Sequence, residues 1–299
     1  VLSNDGSFSI SGGNFGVKTI IPPVVWDNAE SGNFNLGWSN THDLSIVGES
    51  RHLNSYYSAT NNFQGSLGTK DGFFTGPSSG LGEKHFAQYW FKLDNNFDWG
   101  TSTYGGGDEN LANVKIFRLW NPSGSIDENF VIATRGYGGG SIHYSTEYVS
   151  SPSGGSFDNI DNWQKGVWHL FEFEYQESTL GNNDGIIKVW RDGKKVLDDR
   201  DMMTRETYDV LKRPLIVGFY NSWGDGGTDR DDFYMDDAYI DNSWFRVMIC
   251  DQSFWDDSIE RHCEIQIPHT TWDGSNIQFT ANQGSFLDTE NLWLFVIDE

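Results

Sequence analysis

Apolar and polar residues alternate at every second position over most of this chain, and runs with apolar residues three and four apart are nearly absent. Successive side chains of a β-strand point to opposite faces, so a two-residue period predicts half-buried strands rather than helices. The clearest lie at 85–93, 113–120, 130–135, 141–149, 168–176, 185–191, 214–220 and 232–240, each bounded by Gly, Asn, Asp or Ser. Strands of this length with no helices between them pack as two antiparallel sheets, face to face. One turn is legible in detail: Asp192-Gly193 follows Gly185–Arg191 and supplies the positive φ angles that a two-residue hairpin demands. Only 201–211 leaves room for a turn or two of helix.

The same alternation returns in short pieces at both ends. Phe8-Ser9-Ile10-Ser11 runs into Gly12-Gly13-Asn14-Phe15-Gly16, and Trp272-Asp273-Gly274-Ser275-Asn276-Ile277 with the run 292–297 gives a turn and further strands. These pieces resemble the "I-x-G-x-x-F-G" opening, the "W-x-x-x-x-I" segment and the closing strand of immunoglobulin-like IPT/TIG repeats. The resemblance implies one small immunoglobulin-like β-sandwich built from 1–23 and 242–299. Residues 24–241 are then an inserted unit whose own ends lie close together.

The insert carries a second resemblance. Trp168-His169-Leu170-Phe171-Glu172-Phe173-Glu174, then Ile187-Lys188-Val189-Trp190-Arg191-Asp192-Gly193-Lys194, then Phe233-Tyr234-Met235-Asp236-Asp237 are similar to concanavalin-A-like jelly rolls of the polysaccharide lyase and laminin-G type. The expected fold class is all-β, an antiparallel jelly-roll β-sandwich plus the small immunoglobulin-like one. Such motifs mark a fold and leave activity open.

Composition narrows the partners. Aromatics at 15% and 34 Gly suit a large sandwich with glycine-rich loops. With 43 acidic against 20 basic residues the net charge is −23, which repels nucleic acid and anionic membrane surfaces. No run reaches the roughly 18–20 apolar residues of a membrane-spanning helix. The chain opens on Val1 with no charged-then-apolar leader, which reads as a processed or excised piece of an extracellular or cell-surface protein. Cys250 and Cys263 flank a polar loop at 251–262 and suit a disulfide in an oxidising compartment. The alternative is a metal held by both thiols and His262, although the spacing matches no usual zinc pattern.

Three constellations carry candidate chemistry. Asp27, Glu30 and Asp237 resemble the "D-x-x-E-x-G…W" opening and "D-D" closing strand of MAM-type and sandwich-type carbohydrate-binding modules, and that resemblance implies a structural calcium ion bound by hard oxygens. The acidic run 225–232 lacks the spacing of a helix-flanked calcium loop and reads as solvated. Alternation sets Arg118 with Trp120, Glu172 with Glu174, and Lys188 with Trp190 on single strand faces, the makings of a glycan-binding groove.

Catalytic strand patterns are missing. Glu172-Phe173-Glu174-Tyr175-Gln176-Glu177 lacks the central Asp of laminarinase-type "E-x-D-x-x-E", and the alginate lyase "R-x-E-x-R" and "Q-I-H" strands are absent. The leading expectation is therefore a secreted, non-catalytic glycan-binding or surface-structural module, with no catalytic residues and an extracellular polysaccharide as partner. The alternative is a polysaccharide lyase acting on an anionic glycan, with Arg118 as carboxylate neutraliser and His85, His143 or Tyr144 supplying acid–base chemistry. A third reading is a filament or adhesin subunit that self-associates by pairing its first strand with a neighbour's sheet edge.

Overall fold

The computed structural model describes residues 4–34, 37–42, 44–51, 58–61, 70–77, 81–97, 101–102, 110–111, 114–120, 128–134, 140–147, 149–150, 154–221, 233–287 and 290–298. Two antiparallel sheets form the sandwich. One has seven strands, in the order Gly154–Asn159, Ser141–Glu147, Asn129–Thr134, Val114–Trp120, Arg213–Asn221, Lys70–Thr75 and Asn40–His42. The other has eight: Lys194–Met202, Gly185–Arg191, Trp168–Gln176, Lys84–Leu93, Phe233–Asp241, Ser58–Asn61 and Ser45–Val47 in order, with Val25–Asp27 also paired to Phe233–Asp241. The eight expected strands are all present, two of them with unchanged bounds.

Alternation dictates the core. Tyr89 and Phe91, Phe171, Phe173 and Tyr175, and Ile187 with Val189 point inward from the eight-stranded sheet, where they meet Phe117, Phe130, Ile132 and Ile142 from the seven-stranded sheet. Rings interlock across the gap, as with Phe117 and Phe173 at 4.5 Å between centroids. Aromatic pairs at such separations add to area burial.

The segment 201–211 forms no helix. Its polar groups bond elsewhere: the buried Glu177 carboxylate accepts from Thr204 Oγ1, from the Lys212 backbone N–H and from Lys212 Nζ. An irregular strap satisfied in this way has no need of helical hydrogen bonds.

A further sheet of five strands takes up both chain ends, in the order Ser7–Ser11, Asn276–Thr280, Cys263–Trp272, Arg246–Cys250 and Trp293–Ile297. Ser7–Ser11 pairs within its own chain, Phe8 opposite Phe279 and Ile10 opposite Ile277. Cys250 and Cys263 face each other at the base of their hairpin and form a disulfide, with Cα atoms 4.1 Å apart.

This sheet lies over the outward face of the eight-stranded one. Arg51 ties the two together: it forms an ion pair with Asp237 and bonds Glu264 through Nη1 at 2.7 Å and Nη2 at 2.9 Å. Its guanidinium also lies 4.4 Å from the Trp90 ring centroid. Gly284, with φ of 56°, leaves room for the Glu264 carboxylate where a Cβ would otherwise stand.

Candidate functional site

The outward face of the seven-stranded sheet gathers cations. Alternation alone would put Lys115 on the face opposite Arg118, three residues later. A β-bulge between Lys115 and Phe117 removes that conflict. Ile116 and Phe117 both enter the core, so Lys115, Arg118 and Trp120 all face outward. Bulges re-aim side chains in this manner and are common beside active sites. Sequence reasoning missed Lys115 because a bulge leaves no mark on the two-residue period.

Register then fixes the neighbours. Lys115 sits opposite Ala133 and Ala133 opposite His143; Arg118 sits opposite Val131 and Val131 opposite Ser145. Trp120 pairs with Arg213, which adds a third cation to the same face. Arg118 is held in place on several sides. Its Nε and Nη2 bond Asn129 Oδ1 at 3.2 and 3.1 Å, Nη2 reaches Glu147 at 2.9 Å, and the guanidinium stacks 4.0 Å from the Trp120 ring centroid. Only 9% of Arg118 and 5% of Lys115 is exposed, so both charges act in a partly desolvated setting where electrostatics are strong.

The other acid–base candidates are not on this face. His85 is buried in the eight-stranded sheet beside Tyr175, and burial pushes its imidazole down to about 4. Tyr144 turns inward and donates to Asp199 at 2.6 Å, and burial raises its phenol well above the ordinary range. Both are thereby removed as candidates, while His143, in the cross-strand row of Lys115, stays on the face that carries Arg118.

The expected groove of six residues is divided. Arg118 and Trp120 lie on one sheet; Glu172, Glu174, Lys188 and Trp190 lie on the other, beneath the five-stranded sheet. Glu174 is 3% exposed and bonds Lys188 and Arg246, each at 2.7 Å. Trp190, 4% exposed, donates to Asp257 at 2.9 Å. Glu172 is 1% exposed with neither oxygen hydrogen-bonded among the described residues, and burial raises its carboxyl above the usual range despite Arg246 and Arg261 nearby. Strand period shows which residues share a face. It does not show what covers that face, and here the cover comes from strands some 70 residues later in the chain.

The calcium candidates stand at the junction of Val25–Asp27 with Phe233–Asp241, where Asp27 pairs with Ala238. Asp27 accepts from Ala29 N at 3.0 Å and Trp38 Nε1 at 2.7 Å. Asp237, at φ 47° beside a register shift, accepts from Arg51 Nη2 at its Oδ2. Among the described residues no three His, Cys, Asp or Glu side chains are grouped closely enough to hold a metal. The 225–232 run lies outside the described residues.

No protein-family model matches the chain, and no curated protein matches it. Solved structures do. An endo-β-1,4-glucuronan lyase from the fungus Trichoderma reesei matches with a TM-score of 0.53 at 13% identity, over 74% of this chain and 96% of that one. The alginate lyase vAL-1 from a Chlorella virus matches with a TM-score of 0.50 at 12% identity, over 73% of this chain and 99% of that one. At such identities the likeness establishes the fold, a jelly-roll β-sandwich. Both of these neighbours are lyases, so the expectation of a non-catalytic module is corrected: it is less well supported than its lyase alternative. The cationic face is assembled by a bulge and by cross-strand register, neither of which forms a contiguous sequence pattern.

Proposed function

We propose that the chain is an extracellular polysaccharide lyase acting on an anionic, uronate-bearing glycan. The observation that carries this reading is the cluster of Lys115, Arg118 and Arg213 beside Trp120 on one outward face, in a chain whose net charge is −23. The chain as a whole repels polyanions, so a local cationic face has a purpose that solubility does not supply.

The chemistry follows from the uronate. A base removes the proton at C5, next to the carboxylate; the electron pair forms the C4=C5 double bond, the C4–O bond breaks, and the departing oxygen takes up a proton. Arg118, fixed by Asn129 and Glu147, is placed to neutralise the carboxylate as charge builds, with Lys115 reinforcing it. His143 is the base, two strands away in the same cross-strand row as Lys115. Trp120 offers an apolar surface for a sugar ring. The jelly-roll likeness to two lyases and the disulfide support the enzyme class and the extracellular setting.

The test is ultraviolet absorbance of the unsaturated product on glucuronan, alginate and polygalacturonate. A time-dependent rise on at least one is expected; flat traces on all three, with folded protein, overturn the reading.

We also propose a structural calcium ion at Asp237, completed by backbone carbonyls and water, because the side chains of Asp27, Glu30 and Asp237 are not grouped closely enough to hold one by themselves. Asp237 Oδ1 is buried with no hydrogen-bond partner among the described residues, an oxygen that a cation would use. Millimolar calcium is then expected to raise Tm relative to chelator, increasingly with free ion. Equal melting in both conditions removes calcium from the account.

A further inference from the structure

A pocket of about 430 Å3 opens where the eight-stranded sheet meets the 251–262 loop. It lies on the sheet opposite the cationic face and takes no part in the proposed elimination. Its size falls within the roughly 300–1,000 Å3 of small-molecule sites.

Three kinds of surface meet there. Val167, 45% exposed, and the half-buried Trp168 form an apolar patch. Asp192, Asp251 and Glu260 bring carboxylates to the lining, with the Glu260 side chain 62% exposed. Trp90 and Arg261, 6% and 4% exposed, also line the wall, as does Arg191, which pairs with Asp192 and Glu260. The Trp90 indole N–H, and Nε and Nη2 of Arg261, have no hydrogen-bond partner among the described residues. Arg261 is otherwise held by a long ion pair from Nη2 to Asp257 at 3.6 Å and by the hydrogen bond that Nη1 donates to the Asp256 carbonyl at 2.7 Å. Buried donors without acceptors are rare and costly, so these point to an acceptor brought from outside.

A ligand that suits all three surfaces has an apolar ring face and groups that both donate and accept hydrogen bonds. Sugar hydroxyls do both, and a pyranose ring stacks on tryptophan. Three carboxylates set against the guanidiniums of Arg191 and Arg261 leave no excess of positive charge for a uronate. We propose that this pocket is a second, non-catalytic saccharide site that takes a neutral hexose unit. It would hold the protein on neutral glycan while the opposite sheet works on charged chains.

Calorimetric titration with cellobiose, mannobiose and galactobiose tests this. At least one is expected to bind, about tenfold more weakly to Trp168→Ala and severalfold more weakly to Glu260→Gln. Glu260 is an exposed position where folding is not at stake, and Arg118→Ala is expected to bind as the unaltered protein does. The proposal is overturned if none of the three binds, if both pocket variants bind unchanged, or if an alginate trisaccharide binds Arg118→Ala protein in a Trp168-dependent way. Elimination activity is read on the other sheet, so the two readings fail separately.

Discussion

Arg51→Ala is expected to lower stability by about 3–5 kcal/mol, seen as a fall in Tm of roughly 10 °C. The substitution removes one cation and strands two acids, Asp237 and Glu264, which are 1% and 0% exposed. Breaking a buried ion pair costs more than the pair contributes, because the remaining charges keep their desolvation penalty. The loss should depend on pH in a defined direction. Burial alone would raise the Glu264 carboxyl, but the charge of Arg51 and a hydrogen bond with His262 outweigh it and bring it to about 2. A depressed acid stabilises the fold above its unfolded value of 4.5, and that contribution is lost as pH falls toward 2. The unaltered protein should therefore lose more stability than Arg51→Ala across this window. Urea titrations at several pH values check it; a loss under about 1 kcal/mol would mean that Arg51 is not the tie between the sheets.

Arg118→Ala is expected to reduce kcat/KM on the responsive uronate polymer by about 10²–10³, the usual loss on deleting one preorganised donor to developing charge. His143→Ala should cost about 10²–10⁴, the range for a general base. Both should fold, since each side chain faces away from the core, and melting curves provide the control. Arg118→Lys is informative as well: it keeps the charge but loses the planar fork bonded to Asn129 and Glu147, so recovery should be partial. Rates within about twofold of the unaltered protein for both alanine variants would place the chemistry elsewhere.

Much of the architecture was legible in the sequence because period two is a direct record of one-sided burial. The strands Trp168–Gln176 and Gly185–Arg191 could be read off with unchanged bounds, and the Asp192-Gly193 turn joins the second of them to Lys194–Met202 as its chemistry demanded. The Cys250–Cys263 bridge was legible for a similar reason, since two strand-like runs flanking one loop set the cysteines opposite each other. The site was harder. That Arg118 and Trp120 share one face follows from simple alternation, whereas the place of Lys115 beside them depends on a bulge and that of Arg213 on register with a strand almost a hundred residues away. Glu172, Glu174, Lys188 and Trp190 misled because alternation gives polar faces the same appearance whether water or another sheet lies above them. A buried Glu174 between Lys188 and Arg246 has the same local sequence as an exposed one.

Elimination at a uronate leaves a mark on the products of digestion that hydrolysis cannot. Mass spectrometry with proton NMR of oligosaccharides released from glucuronan or alginate should show chains lighter by one water than hydrolytic fragments, each with a C4=C5 double bond at its non-reducing end. Saturated fragments of hydrolytic mass, or polymer left intact by folded protein, would contradict the account.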